Sequence, residues 1–111
     1  MDFDEYEKLA SRTATFDSSQ KEYALLYLGL GVTGEAGEIA EKIKKIARND
    51  DGVISDEKRE ALKQEIGDVL WYLSQLSRQL GFPFSDAAKA NIQKTADRAA
   101  RGVIKSSGDY R

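Results

Sequence analysis

The stretch SDEKREALKQEIGDVLWYLSQLSRQLG, residues Ser55 to Gly81, decides the fold. An α-helix turns about 100° per residue, so a residue's place around the axis follows from its number. With Glu65 at zero, Leu62, Val69, Leu73, Leu76 and Leu80 fall within about 20° to 80°, and Ile66 and Leu70 extend the apolar stripe to about 140°. Ser55 or Asp56 caps the start and Gly81 stops the end, so the pattern predicts one long helix to about Leu80.

Toward the N-terminus the same periodicity recurs. With Glu35 at zero, Val32, Ile39, Ile43 and Ile46 occupy about 20° to 80°, with Ala36 and Ala47 just beyond. Ser19 and Glu22 form a capping box, predicting a helix from near Gln20 to about Ala47, ended by Asn49-Asp50-Asp51-Gly52. A short helix, Phe3 to Ser11, and a polar connector, Arg12 to Ser19, precede it. Toward the C-terminus, Pro83 opens a fourth helix that ends near Gly102. Its narrow stripe is Ala88, Ile92, Thr95, Ala96 and Ala99, and residues 103–111 read as an irregular tail.

The expectation is an all-α fold: a single domain over residues 1–111, built as a bundle of four main helices and assembled as a homo-oligomer. Apolar stripes on three helices of a 111-residue chain, and Trp71 lying off its own stripe, motivate the oligomer. The composition, 41% hydrophobic and 32% charged with one Pro, suits a helical protein rather than a disordered one. With no His and no Cys there is no imidazole or thiolate chemistry and no disulfide framework. A net charge of −2 excludes the basic field that holds nucleic-acid polymers. No apolar run is long enough for the membrane and the acidic start is unlike a secretory signal, so the cytoplasm is the expected compartment.

The borders of the stripes carry the chemistry. Glu35 and Glu38 lie at about 0° and 300° on the second helix, and Glu65 and Asp68 repeat the arrangement on the third. Glu41, Glu57 and Glu60 face away. Tyr72 falls at about 340° on the third helix, while on the fourth Lys94 and Arg98 occupy the same border sector, measured from Asn91. Converging carboxylates repel one another, a divalent cation relieves the repulsion, and all-oxygen ligands favour Mg²⁺ or Mn²⁺. Phosphate chains need metal on one side and Lys or Arg on the other, so the constellation points to phosphoryl chemistry. Such acidic pairs also occur on solvated helices, and Glu38 with Lys42 and Glu41 with Lys45 have ordinary ion-pair spacing. Gly29, Gly31, Gly34, Gly37 and Gly67 interrupt the helical stretches at roughly 1 kcal/mol each, consistent with a bend, with close helix approach or with room for a ligand.

Gly34-Glu35-Ala36-Gly37-Glu38 and Glu65-Ile66-Gly67-Asp68-Val69-Leu70-Trp71-Tyr72 resemble the ExxE and ExxD motifs of the MazG-like all-α nucleoside triphosphate pyrophosphohydrolases. Asn91 to Arg98 resembles the NxxKxxxR segment of that family, and Arg101 to Asp109 the tail of many bacterial and phage members. The resemblance implies that Glu35, Glu38, Glu65 and Asp68 hold Mg²⁺, for which Mn²⁺ substitutes, and that Glu38 also orients or deprotonates the attacking water. It implies phosphate binding by Lys94 and Arg98, substrate contacts from Asn91 and Tyr72, and assembly as a homodimer or homotetramer. The implied reaction cleaves (d)NTPs between the α- and β-phosphates to monophosphate and pyrophosphate, as nucleotide-pool housekeeping. Phosphoribosyl-ATP or a signalling nucleotide is the alternative substrate, and a non-catalytic helical interaction module the alternative class. Gly34 stands where many members carry the first glutamate of EExxE, and Lys45 where the dCTP pyrophosphatase branch has a base-packing Trp.

Overall fold

A computed structural model describes residues 1–102; the expected tail lies outside the described residues. The elements are α1 (Phe3–Ala10), a 3₁₀ turn (Ser11–Thr13), α2 (Lys21–Asn49), α3 (Asp56–Leu80) and α4 (Phe84–Arg101), with no strand among the described residues. The ends have local causes. Ser55 caps α3 by accepting from the Lys58 amide, and Gly81 stops it in the left-handed conformation at φ 89°. Gly102 does the same for α4 at φ 72°. Between α2 and α3 the chain reverses through Asp51 and Gly52, both with positive φ.

Two sequence expectations fail at caps. Ser19 does not cap α2, because its amide and hydroxyl bond the Asp17 side chain; α2 starts after Gln20 with no side-chain cap. Pro83 is the N-cap of α4 rather than its first residue, and it too lacks a side-chain cap. The leading amides of α4 are instead served by α1: Phe84 N donates to Glu7 Oε1 at 3.1 Å and Ser85 N to Asp4 Oδ1 at 3.0 Å. These acids also complement the positive end of the helix dipole.

α2 and α3 form the main packing pair, and α1 lies across α3 and α4. The buried apolar set is small: Ala10, Ala24, Leu28, Ile46 and Phe84. Phe84 is gripped by α1, edge-on to Phe3 at 5.1 Å and tilted to Tyr6 at 6.5 Å. The stripes expected to be buried are only partly covered within one chain. Ile46 is buried and Val32 and Ile39 half-buried, but Ile43, Ile66, Leu73, Leu80 and Ile92 are exposed, because among the described residues α2 packs chiefly on α3 and the short α1 covers only part of α3 and α4. The radius of gyration, 16.8 Å, exceeds the roughly 13 Å of a compact 100-residue domain. Among the described residues no helix is long and apolar enough to cross a membrane.

Candidate active site

Where α2 and α3 face each other, carboxylate oxygens of Glu35, Glu65 and Asp68 lie within 4.8 Å of one another. Glu65 and Asp68 are one turn apart on α3, so both project toward the side that Glu35 occupies on α2. Removal from water pushes the Glu35 carboxyl above the usual carboxylate range, and the charges of Asp68, Glu65 and Glu38 push it further. Glu38 is exposed and outside the group of three, though close enough for its charge to act on Glu35. Glu65 Oε2 is buried with no hydrogen-bond donor among the described residues, and Lys42 Nζ stands 3.7 Å from Oε1. Three clustered carboxylates, one with an orphaned buried oxygen, in a chain with neither His nor Cys, make a donor set suited to a hard divalent cation.

Lys42 is a member of the site that sequence reasoning missed. Its spacing suggested a pair with Glu38, yet it sits seven residues after Glu35, at about 340°, and so faces α3. Glu41 pairs with Lys45 at 3.7 Å, as its spacing predicts, and also with Lys44 at 2.8 Å.

Tyr72 borders the acidic group. The Tyr27 hydroxyl beside it, burial, and the charges of Glu35 and Asp68 together raise its pKa above the usual phenol range. A methyl group at Gly31 would overlap the Tyr72 ring, so this glycine permits a close approach of α2 and α3. A Cβ at Gly34, Gly37 or Gly67 would meet nothing within 4 Å. Trp71 packs edge-on to Tyr72 at 5.1 Å and donates its indole N–H to Ala10 O at 3.1 Å and Thr13 Oγ1 at 2.9 Å. Its place off the α3 stripe thus serves the N-terminal segment of its own chain rather than leaving it free for a partner. Tyr6 of α1 is near enough to Asp68 for that charge, after burial, to raise its pKa, a contact for which the sequence carries no periodic signal.

On α4, Asn91 and Lys94 are exposed and Arg98 half-buried. No hydrogen bond or ion pair joins Lys94 to the acidic group among the described residues, and α4 makes its principal contacts with α1 and α3, not α2. Within one chain, therefore, the acids and Tyr72 come together while Asn91 and Lys94 stay on an open helix face.

The sequence model of the MazG nucleotide pyrophosphohydrolase domain matches residues 24–102. The chain belongs to this family. The MazG match spans α2 from Ala24 onward, α3 and α4 with every candidate site residue, and leaves α1, the connector and the first three residues of α2 outside it. This MazG chain is also similar to the Gene 37 protein of Mycobacterium phage L5, 45% identical over 114 aligned positions that cover 100% of each protein. No solved structure matches it.

Proposed function

We propose that this MazG-family chain is a Mg²⁺-dependent nucleoside triphosphate pyrophosphohydrolase. It cleaves (d)NTPs between the α- and β-phosphates to monophosphate and pyrophosphate, in cytoplasmic nucleotide-pool housekeeping. The observation that carries the reading is the approach of Glu35, Glu65 and Asp68 to within 4.8 Å across α2 and α3. Glu35, Glu38, Glu65 and Asp68 would hold the ion, which when bound neutralises charge on phosphate oxygens and acidifies water.

The remaining work falls to the chain's own groups. Glu38, exposed beside the group of three, orients the attacking water and takes its proton as the bond to the α-phosphorus forms. Lys94 and Arg98 hold the phosphates, and Asn91 and Tyr72 contact the nucleotide. The exposure of Asn91 and Lys94 in a single chain, together with large apolar residues left open, supports a homodimer or homotetramer that closes the pocket.

The test is a screen of the purified protein with Mg²⁺ against canonical, deoxy and modified triphosphates, with phosphoribosyl-ATP included and products separated chromatographically. Monophosphate and pyrophosphate from nucleoside triphosphates are expected. Cleavage of phosphoribosyl-ATP alone, or of nothing, would overturn the assignment.

A further inference from the structure

The connector between α1 and α2 roofs a cavity of about 380 Å³ over the second half of α3, lined by Ser11, Phe16, Ser18, Gln75 and Arg78 among others. That volume lies in the range of small-molecule pockets, about 300–1,000 Å³. None of the lining residues is acidic. Gln75 is only 2% exposed, yet its one hydrogen bond among the described residues is donated by Nε2 to Ser74 Oγ at 3.3 Å. A glutamine amide offers two donor hydrogens and a two-lone-pair acceptor, so a buried one that uses a single donor keeps most of its capacity for something else. Arg78 is exposed and forms no ion pair among the described residues, leaving its guanidinium available at the cavity. Gln79 Nε2 donates to Ser18 O at 3.3 Å and holds the roof in place.

The cavity and the acidic group share one face of α3. Gln75 follows Asp68 by seven residues, which puts it on the same face of α3, about 10 Å further along the axis. That span is comparable to the reach of a nucleotide from its α-phosphate to the far edge of its base. Phe16, in the cavity lining, packs on Tyr27 at 5.4 Å, and Tyr27 on Tyr72 at 6.0 Å, so an aromatic run connects the cavity to the carboxylates. Aromatic faces stack on any base, whereas a buried amide distinguishes one hydrogen-bonding edge from another.

We propose that this cavity is the nucleoside subsite, with Phe16 stacking on the base, the Gln75 amide reading its hydrogen-bonding edge and Arg78 donating to base or sugar oxygens at the mouth. The assignment rests on the acidic group being the phosphate-handling centre. Gln75 and Arg78 lie within the MazG match, whereas Ser11, Phe16 and Ser18 precede it, so the stacking wall is built partly by residues outside the shared domain.

The experiment titrates the full chain in Mg²⁺ with the four α,β-imido deoxynucleoside triphosphates and, as a base-free probe, tripolyphosphate, by calorimetry and by NMR of the Gln75 side-chain amide. At least one nucleotide should bind about tenfold or more tighter than tripolyphosphate and shift the Gln75 amide. In Gln75→Met and in Arg78→Ala that margin should narrow severalfold, with tripolyphosphate affinity unchanged. Arg78, being exposed, gives a folded variant if the buried Gln75→Met does not. Equal or absent binding of nucleotide and tripolyphosphate by the parent, or a margin that survives Arg78→Ala and any folded Gln75→Met, would overturn the subsite. A parent that binds nucleotide with a Gln75 shift but releases no pyrophosphate from any triphosphate would keep the subsite and remove the hydrolase reading.

Discussion

Glu35 carries the electrostatic cost of the site. Its pKa is raised chiefly by desolvation and then by Asp68 and Glu65, so in the metal-free protein its folded value lies above the 4.5 of an ordinary glutamate. The favourable state is then the protonated one. Its contribution is present below the unfolded pKa and is lost as pH rises through the raised folded value. In chelator at pH 7, Glu35→Gln should therefore melt higher than the parent, and calorimetry at pH 4 should show the advantage shrinking. With Mg²⁺ the order should reverse, because only the parent keeps the full ligand set. A parent that outmelts Glu35→Gln in chelator would contradict the repulsion.

Gly31 makes a second test at this scale. Gly31→Ala should destabilise by about 1–3 kcal/mol in urea melts, since the Tyr72 ring must move. Gly29→Ala, where a methyl meets nothing, should be neutral or stabilise by up to about 1 kcal/mol. The approach of Glu65 and Asp68 to Glu35 was legible in the sequence because residues three apart share a helix face, whereas the same spacing does not bring Glu38 into the group. Lys42 was misread because its nearest sequence partner, Glu38, competes with Glu65 on another helix, a contact that one helix's numbering does not contain.

Among the elements, α2, α3 and α4 were legible from apolar periodicity and from Ser55, Gly81 and Gly102. How α1 is used was not, since it acts through single polar contacts that have no period. Asp4 shows this: its bonds to the Ser85 hydroxyl and amide hold its pKa below the ordinary carboxylate value of 3.8. A lowered carboxylate contributes stability above its unfolded pKa and loses it as pH falls through the lowered value. The α1–α4 junction should therefore loosen below about pH 4, and Asp4→Asn should reduce that acid sensitivity, as read by hydrogen exchange at the start of α4. Trp71→Phe should release the other end of α1 by removing the indole bonds to Ala10 and Thr13, at a cost of about 1–3 kcal/mol. Faster exchange confined to the last turn of α1 and the 3₁₀ turn is the expected signature. Unchanged protection there would contradict the tether.

At the scale of the molecule, the exposure of Leu26 (62%), Leu30 (63%), Ile66 (58%) and Ile92 (67%) leaves more apolar surface than so small a buried core balances. Light scattering should find a dimer or tetramer at micromolar concentration, and Ile66→Lys or Ile92→Lys should weaken it. A well-folded parent monomer would contradict the expectation. The all-helical fold was legible because helical periodicity is local, whereas burial of the stripes is not: Ile92 belongs to an apolar stripe by its spacing and is exposed all the same. If the Glu35, Glu65 and Asp68 group is the centre of pyrophosphate release, losing one of its carboxylates must slow attack at the α-phosphorus. Parent and Glu65→Gln are incubated with a nucleoside triphosphate in Mg²⁺ and ¹⁸O-water, and products are followed by ³¹P NMR. The parent should give monophosphate bearing the label and unlabelled pyrophosphate, with the Glu65→Gln rate lower by about a hundredfold or more. Diphosphate with labelled orthophosphate, or a folded Glu65→Gln that retains the parental rate, would contradict it.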